Sequence, residues 1–199
     1  MQIYDNCRVY LNFLLTAIKM PEDMTRCILS EYEAHPDILE EPLPKDGASL
    51  QDLLPGTDVL TRHLAAAVRN RLDGCWTRFP EDVYLATMGV FTRFVNEYHR
   101  SYGYYGFDRG FWTTRQVSAR LFRLGELEYE LYEEEGSKRI SVHIPSNVHL
   151  EGSLLNRSVE RSRSFLREYF RSGLLMIISV NPGFFPGCSG TCSRQNPGF

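Results

Sequence analysis

The sequence predicts an α+β protein: a helical bundle over residues 1–105, followed by a smaller mixed segment of helices and strands over residues 106–171. Three observations carry this. Apolar residues recur at spacings of three and four through the first half, the period of helices that bury one face. The stretch "YGYYGFDRGFW", rich in glycine and aromatic residues, marks a boundary near Gly106. Beyond it the apolar period falls to two, as in a half-buried strand.

Each element has its own signal. "VYLNFLLTAI" reads as a core helix, since it is interrupted by Asn12 and falls short of the roughly 20 residues that span a bilayer. In "MPEDMTRCILSEYEAHP", Pro21 suits a first turn, and Glu22 and Asp23 favour the positive end of the helix dipole. Met24, Cys27, Ile28 and Tyr32 are placed on one face, and His35-Pro36 ends the helix. Residues 37–56 carry prolines and two glycines and predict an irregular connection. Thr57 offers an N-cap for a helix from Asp58 to about Asp73, with Leu60, Leu64, Ala67, Val68 and Leu72 as its stripe and Gly74 as its end. After Pro80, the stripe Val83, Ala86, Val90, Phe94 and Tyr98 predicts a further amphipathic helix.

A short helix over Thr113 to Leu121 comes next. In "LGELEYEL", Leu127, Tyr129 and Leu131 alternate with Glu126, Glu128 and Glu130; in "RISVHIP", Ile140, Val142 and Ile144 alternate with Ser141, His143 and Pro145. Joined by "YEEEGSK", the two predict a hairpin. Leu155, Val159, Ser162, Leu166 and Tyr169, spaced four, three, four and three, predict a final helix capped near Ser153.

Composition excludes several classes. A net charge of -3 argues against nucleic acid as the main partner. The five cysteines follow no disulfide or metal spacing, and His35, His63 and His99 stand singly, so no metal is expected. The apolar run near the N-terminus lacks preceding positive charge and a small-residue cleavage site, so neither membrane nor secretion is expected and the cytoplasm fits. Asn156-Arg157-Ser158 matches a glycosylation sequon without a secretion signal to support it.

"GFDRGFWTTRQVSARLFRLGELEYEL" with "ISVHIPSNVHLEGSLLNRSVERSRSFLREYF" resembles a bacterial acyltransferase family that pairs a helical N-terminal domain with a C-terminal domain similar to the GNAT superfamily of N-acyltransferases. The resemblance runs from about Met20 to Phe170. It implies an N-terminal helical bundle followed by a partial GNAT-like mixed α/β domain that binds an acyl-coenzyme A as cosubstrate and passes the acyl group to an amine. The superfamily's Gln/Arg-x-x-Gly-x-Gly/Ala loop is absent after "HIP". Backbone amides at a helix N-terminus then remain to hold the coenzyme phosphates, with Ser146, Asn147, Ser153 and Asn156 around them.

The last 29 residues contain no Asp, Glu or Lys and are rich in Gly and Pro. Relatives of this kind continue past "REYF" with charged and aromatic text. Read one base earlier, allowed codons for Arg171 to Phe199 restore charge and helical spacing, and Met176-Ile177 must then yield Asp. Residues 172–199 therefore read as a frameshifted tail and the chain as incomplete and inactive; the alternative is a divergent but genuine C-terminus.

The candidate chemistry lies across the hairpin. Matching its two apolar stripes permits only odd sums of paired residue numbers. A sum of 271 sets Glu128 opposite His143, 269 sets Glu126 there and 273 sets Glu130, so an acid faces His143 in every register. A carboxylate beside an imidazole suits a general base for an amine; an ordinary cross-strand polar pair is the plainer reading. Trp112 and Arg115, three apart at a helix start, are placed to contact the acyl carrier or to pack. Two functions follow: an acyl-coenzyme A dependent N-acyltransferase, whose mark is a coenzyme pocket at the end of "RISVHIP", or a noncatalytic interaction domain of helices and sheet.

Overall fold

Apolar residues at helical spacing meet one another before they meet the sheet. The computed structural model of the protein describes residues 2–35, 38, 58–146, 148, 151–170 and 175–176. In α1 (Gln2–Ala17), Cys7, Leu11, Leu14 and Leu15 are buried and pack against α2 (Glu22–Ala34) and α3 (Val59–Asp73). Pro21 precedes the first turn of α2, whose Glu22 and Asp23 are both held by Arg26. Ile28 and Tyr32 form its buried stripe, while Cys27, at the edge of that face, is exposed. α3 is capped by Asp58, which accepts from the Leu60 N–H at 2.9 Å, one residue later than the Thr57 cap expected from sequence. The connection expected over residues 37–56 lies outside the described residues, Ile38 excepted.

α4 (Glu81–Tyr102) is buried on a wider and shifted face than the predicted stripe: Thr87, Met88, Phe91 and Val95 are covered along with Val83, Val90 and Phe94, whereas Ala86 is exposed and Tyr98 only half-buried. It packs against α5 (Gly110–Val117) on one side and β1 (Leu121–Leu124) on the other, which is why one apolar stripe does not describe it. Gly103 ends it in the left-handed region, with its N–H on the His99 carbonyl at 2.8 Å.

The helix expected over Thr113 to Leu121 starts at Gly110 and stops at Val117, and Leu121 opens a strand instead. β1 has no visible period of two because both of its faces are covered: Leu121, Phe122 and Leu124 are all buried. Its Arg123 N–H bonds the Thr87 hydroxyl of α4 at 2.9 Å. β2 (Leu127–Glu134) and β3 (Ser137–His143) form the predicted hairpin, turning at Glu135 and Gly136, both with positive φ as a type I′ turn requires. The register is the sum-271 one, Glu128 to His143 and Leu131 to Ile140.

α6 (Gly152–Tyr169) then carries the chain back to β4 (Leu175–Met176), which pairs parallel to β3 and completes the order β1-β2-β3-β4. The rest of residues 172–199, expected to form no packed layer, lies outside the described residues. One sheet face, with Phe122, Tyr129, Ile140 and Val142, is apolar and packs on Phe165 and Leu166 of α6. Trp76 and Phe79 close this layer; Trp76 Nε1 donates to the Gln116 carbonyl at 2.9 Å. The other face carries Arg123, Glu128, Glu130 and His143 and is covered by α4 and α5, so the charges there lie between layers.

Candidate functional site

At the end of β3 the chain runs through Ile144, Pro145 and Ser146, and between this segment, α4 and the start of α5 lies a cavity of about 280 Å3. Its walls come from three layers: Arg93, Phe94 and Glu97 of α4; Arg109, Phe111 and Trp112 around the start of α5; Glu128 and His143 of the sheet. Phe111 and Ile144 are exposed at its rim.

Two ion-pair systems share this space. Glu128, only 4% exposed, bonds Arg93 Nη1 at 3.0 Å and stands 3.8 Å from Arg123 Nη1. Arg93 also approaches Glu97, to which the Ser146 hydroxyl donates. In the second system Glu130 spends one oxygen on each neighbour: Oε1 on Arg115 Nε at 2.7 Å, Oε2 on His143 Nε2 at 2.8 Å. Burial raises the pKa of Glu130, but the hydrogen bond from His143 and the Arg115 charge outweigh it and hold the carboxyl below its ordinary value. Trp112 joins the pair from the side, its ring edge-on to His143 at 5.1 Å with the Arg115 guanidinium 4.6 Å above its face. With its amide turned so that both ends are bonded, Gln116 accepts from Trp112 Nε1 at 3.2 Å and donates to the Trp112 carbonyl at 2.8 Å.

The structure thus brings together four of the residues singled out from sequence, Trp112, Glu128, His143 and Ser146, on one cavity. Arg115 stands behind Trp112 and reaches the site through Glu130. Ser153 and Asn156 are exposed near the start of α6, and Asn147 lies outside the described residues. Glu151, rather than Ser153, occupies the N-cap of α6, and it makes no side-chain cap; Ser153 Oγ donates to its carboxylate at 2.7 Å. Within α6 the first turn holds no acidic residue, while the Glu151 carboxylate stands beside it, on Ser153.

Sequence reasoning did not find Arg93, Phe94, Glu97, Arg109 or Phe111. Arg93 and Glu97, four apart, carry only the signal of a surface helical pair. Among the described residues no group of three or more His, Cys, Asp or Glu stands close enough to hold a metal, and no helix is long and apolar enough to cross a membrane.

Residues 78–119, covering α4 and α5, match the N-acyltransferase N-terminal domain, and residues 121–179, starting at β1, match the GNAT-like C-terminal domain. Solved structures with the same fold include an acyltransferase in complex with decanoyl-CoA and teicoplanin, at a TM-score of 0.59. Others are an acyltransferase with CoA and 10C-teicoplanin, at 0.61, and one with decanoyl-CoA, at 0.59. Each is 20% identical over 79% of this chain. The chain spans 56% of the length of the first two and 57% of the third. No curated protein matches it.

Proposed function

We propose that this chain, which belongs to the acyltransferases that pair a helical N-acyltransferase N-terminal domain with a GNAT-like C-terminal domain, transfers an acyl group from acyl-coenzyme A to an amine at the cavity beside His143. The observation that carries the reading is an imidazole bonded to a carboxylate on the wall of a cavity at the end of β3. His143 takes one proton from the acceptor ammonium. The freed amine attacks the thioester carbonyl and forms the C–N bond; the C–S bond then breaks, and the second amine proton leaves with the thiolate as coenzyme A. The products are an amide, the free thiol and one proton released from His143.

The remaining residues divide the binding. Ser146 and Asn147, after β3, and Ser153 and Asn156, near the start of α6, surround the coenzyme phosphates, where uncapped helix amides supply the donors. Phe94, Phe111 and Trp112 offer apolar wall for the acyl chain or the acceptor, and Glu128 holds Arg93 against the same space. Residues 1–105 serve as a helical support, 106–171 as the GNAT-like part, and 172–199 as the shifted-frame tail, which leaves the present chain a poor catalyst.

Calorimetric titration with acetyl- and decanoyl-coenzyme A tests the reading, the second being the donor held in similar structures. Weak binding and little turnover are expected of the present chain, and saturable binding that His143→Gln preserves, with turnover lost, of a chain carrying the other frame after Phe170. If a chain carrying the other frame after Phe170 also binds nothing, the noncatalytic interaction domain stands in its place. Equal affinity and turnover in the two chains would remove the shifted-frame reading and leave the acyltransferase.

A further inference from the structure

Accepting His143 as the base, we propose that Glu130 and Arg115 are positioning residues that set its tautomer, so that Nδ1 is the nitrogen that takes the proton from the acceptor. The Arg115 guanidinium presents only N–H donors and no acceptor. Its Nε occupies Glu130 Oε1 at 2.7 Å and keeps the carboxylate ionised, hence an acceptor only. The contact between Glu130 Oε2 and His143 Nε2, at 2.8 Å, therefore has one possible donor, the imidazole N–H. A neutral imidazole has one such proton, so with Nε2 protonated the lone pair falls on Nδ1.

The neighbours oppose rotation of the ring into the reverse arrangement. Trp112 meets His143 edge-on and is itself held by Gln116 and covered by Arg115. A flipped ring would point a carbon at an ionised carboxylate that is 82% buried, leaving that oxygen without its bond. Glu128, although it is the backbone partner of His143, takes no part in this, because its carboxylate is committed to Arg93 and Arg123. Arg115 thus acts through Glu130, in place of the contact with the acyl carrier that its position in the sequence suggested.

The test reads the imidazole directly. In the intact chain labelled with 15N-histidine, at a pH above the ordinary histidine range, the His143 signal, assigned by its loss in His143→Gln, should be that of the Nε2–H form. In Glu130→Gln a mixture of both tautomers should appear, since a carboxamide offers a donor as well as an acceptor. kcat should fall about 100-fold or more while KM for the acyl-coenzyme A changes less than about two-fold. Glu130→Asp, which keeps the charge, should restore the single tautomer, and Arg115→Gln should shift the mixture in the same direction as Glu130→Gln. An Nδ1–H signal in the wild type overturns the proposal without reference to any variant. So does a folded Glu130→Gln whose spectrum and kcat match the wild type. Absence of acyl-coenzyme A binding would sink the acyltransferase reading by calorimetry, while the wild-type spectrum still decides the orientation of His143.

Discussion

Glu128 and His143 are partners across the β2–β3 ladder, yet their side chains belong to different ion pairs: Glu128 to Arg93 at 3.0 Å, His143 to Glu130 at 2.8 Å. The acid directly opposite the imidazole bonds Arg93 and faces Arg123, and the acid diagonal to it is the one that touches it. Glu128→Gln should therefore act on stability, leaving the half-buried Arg93 and Arg123 with the carboxylates of Glu97 and Glu126 in its place, at a cost of about 3 kcal/mol. His143→Gln should stay within about 1 kcal/mol of the wild type. Urea denaturation of the two variants checks this; a larger loss for His143→Gln than for Glu128→Gln would reverse the assignment.

His63, fully buried on α3, sets the response to mild acid. Its Nδ1–H donates to the Val59 carbonyl at 2.8 Å and its Nε2 faces the Thr114 hydroxyl at 3.3 Å. Burial, which disfavours the charged ring, pushes its pKa from 6.5 down to about 4 despite the Val59 bond. The unfolded chain then binds the extra proton first, so this contribution is complete above 6.5 and drains away as pH falls towards 4. Between about pH 7 and about pH 5 the wild type should lose about 2 kcal/mol through this residue. His63→Gln should show a correspondingly flatter profile in denaturant titrations, and an unchanged profile would contradict the account. Glu130, held below its ordinary 4.5, contributes with the same sign but at lower pH, its share being lost as pH falls through the lowered value.

Two hairpin glycines of similar φ should respond differently to alanine. Gly136, at φ +71, has open space where a Cβ would stand, so Gly136→Ala should cost only about 1 kcal/mol of left-handed strain. At Gly125, φ +74, the added carbon would stand 2.4 Å from Ser158 Oγ, which accepts the Glu126 N–H at 2.7 Å. Gly125→Ala should cost about 2 kcal/mol or more, the strain plus the displaced hydrogen bond. Equal melting midpoints for the two variants would show that α6 yields at this turn.

Phe111 lines the cavity and is 63% exposed, an arrangement that favours binding over packing. Phe111→Ser should leave stability within about 0.5 kcal/mol and weaken decanoyl-coenzyme A about ten-fold, the effect of losing part of an aromatic contact. Unchanged affinity in calorimetry would place the acyl chain elsewhere.

Most of the helices and both strands of the hairpin are legible in the chain itself, because each buries a face whose period the sequence spells out: Leu60, Leu64 and Val68 at helical spacing, Tyr129 with Val142 at strand spacing. The stripes of Leu127, Tyr129 and Leu131 against Ile140 and Val142 also determined that an acid would face His143, since parity holds whatever the exact register. β1 escaped this reading, because a strand covered on both faces has no alternation to show. The identity of the acid was decided only by tertiary packing. α4 brings Arg93 over Glu128 and α5 brings Arg115 and Trp112 over Glu130 and His143, and each guanidinium draws the nearer carboxylate to itself. The backbone ladder aligns residues in pairs, whereas side chains long enough to reach diagonally go where the covering helices put opposite charge.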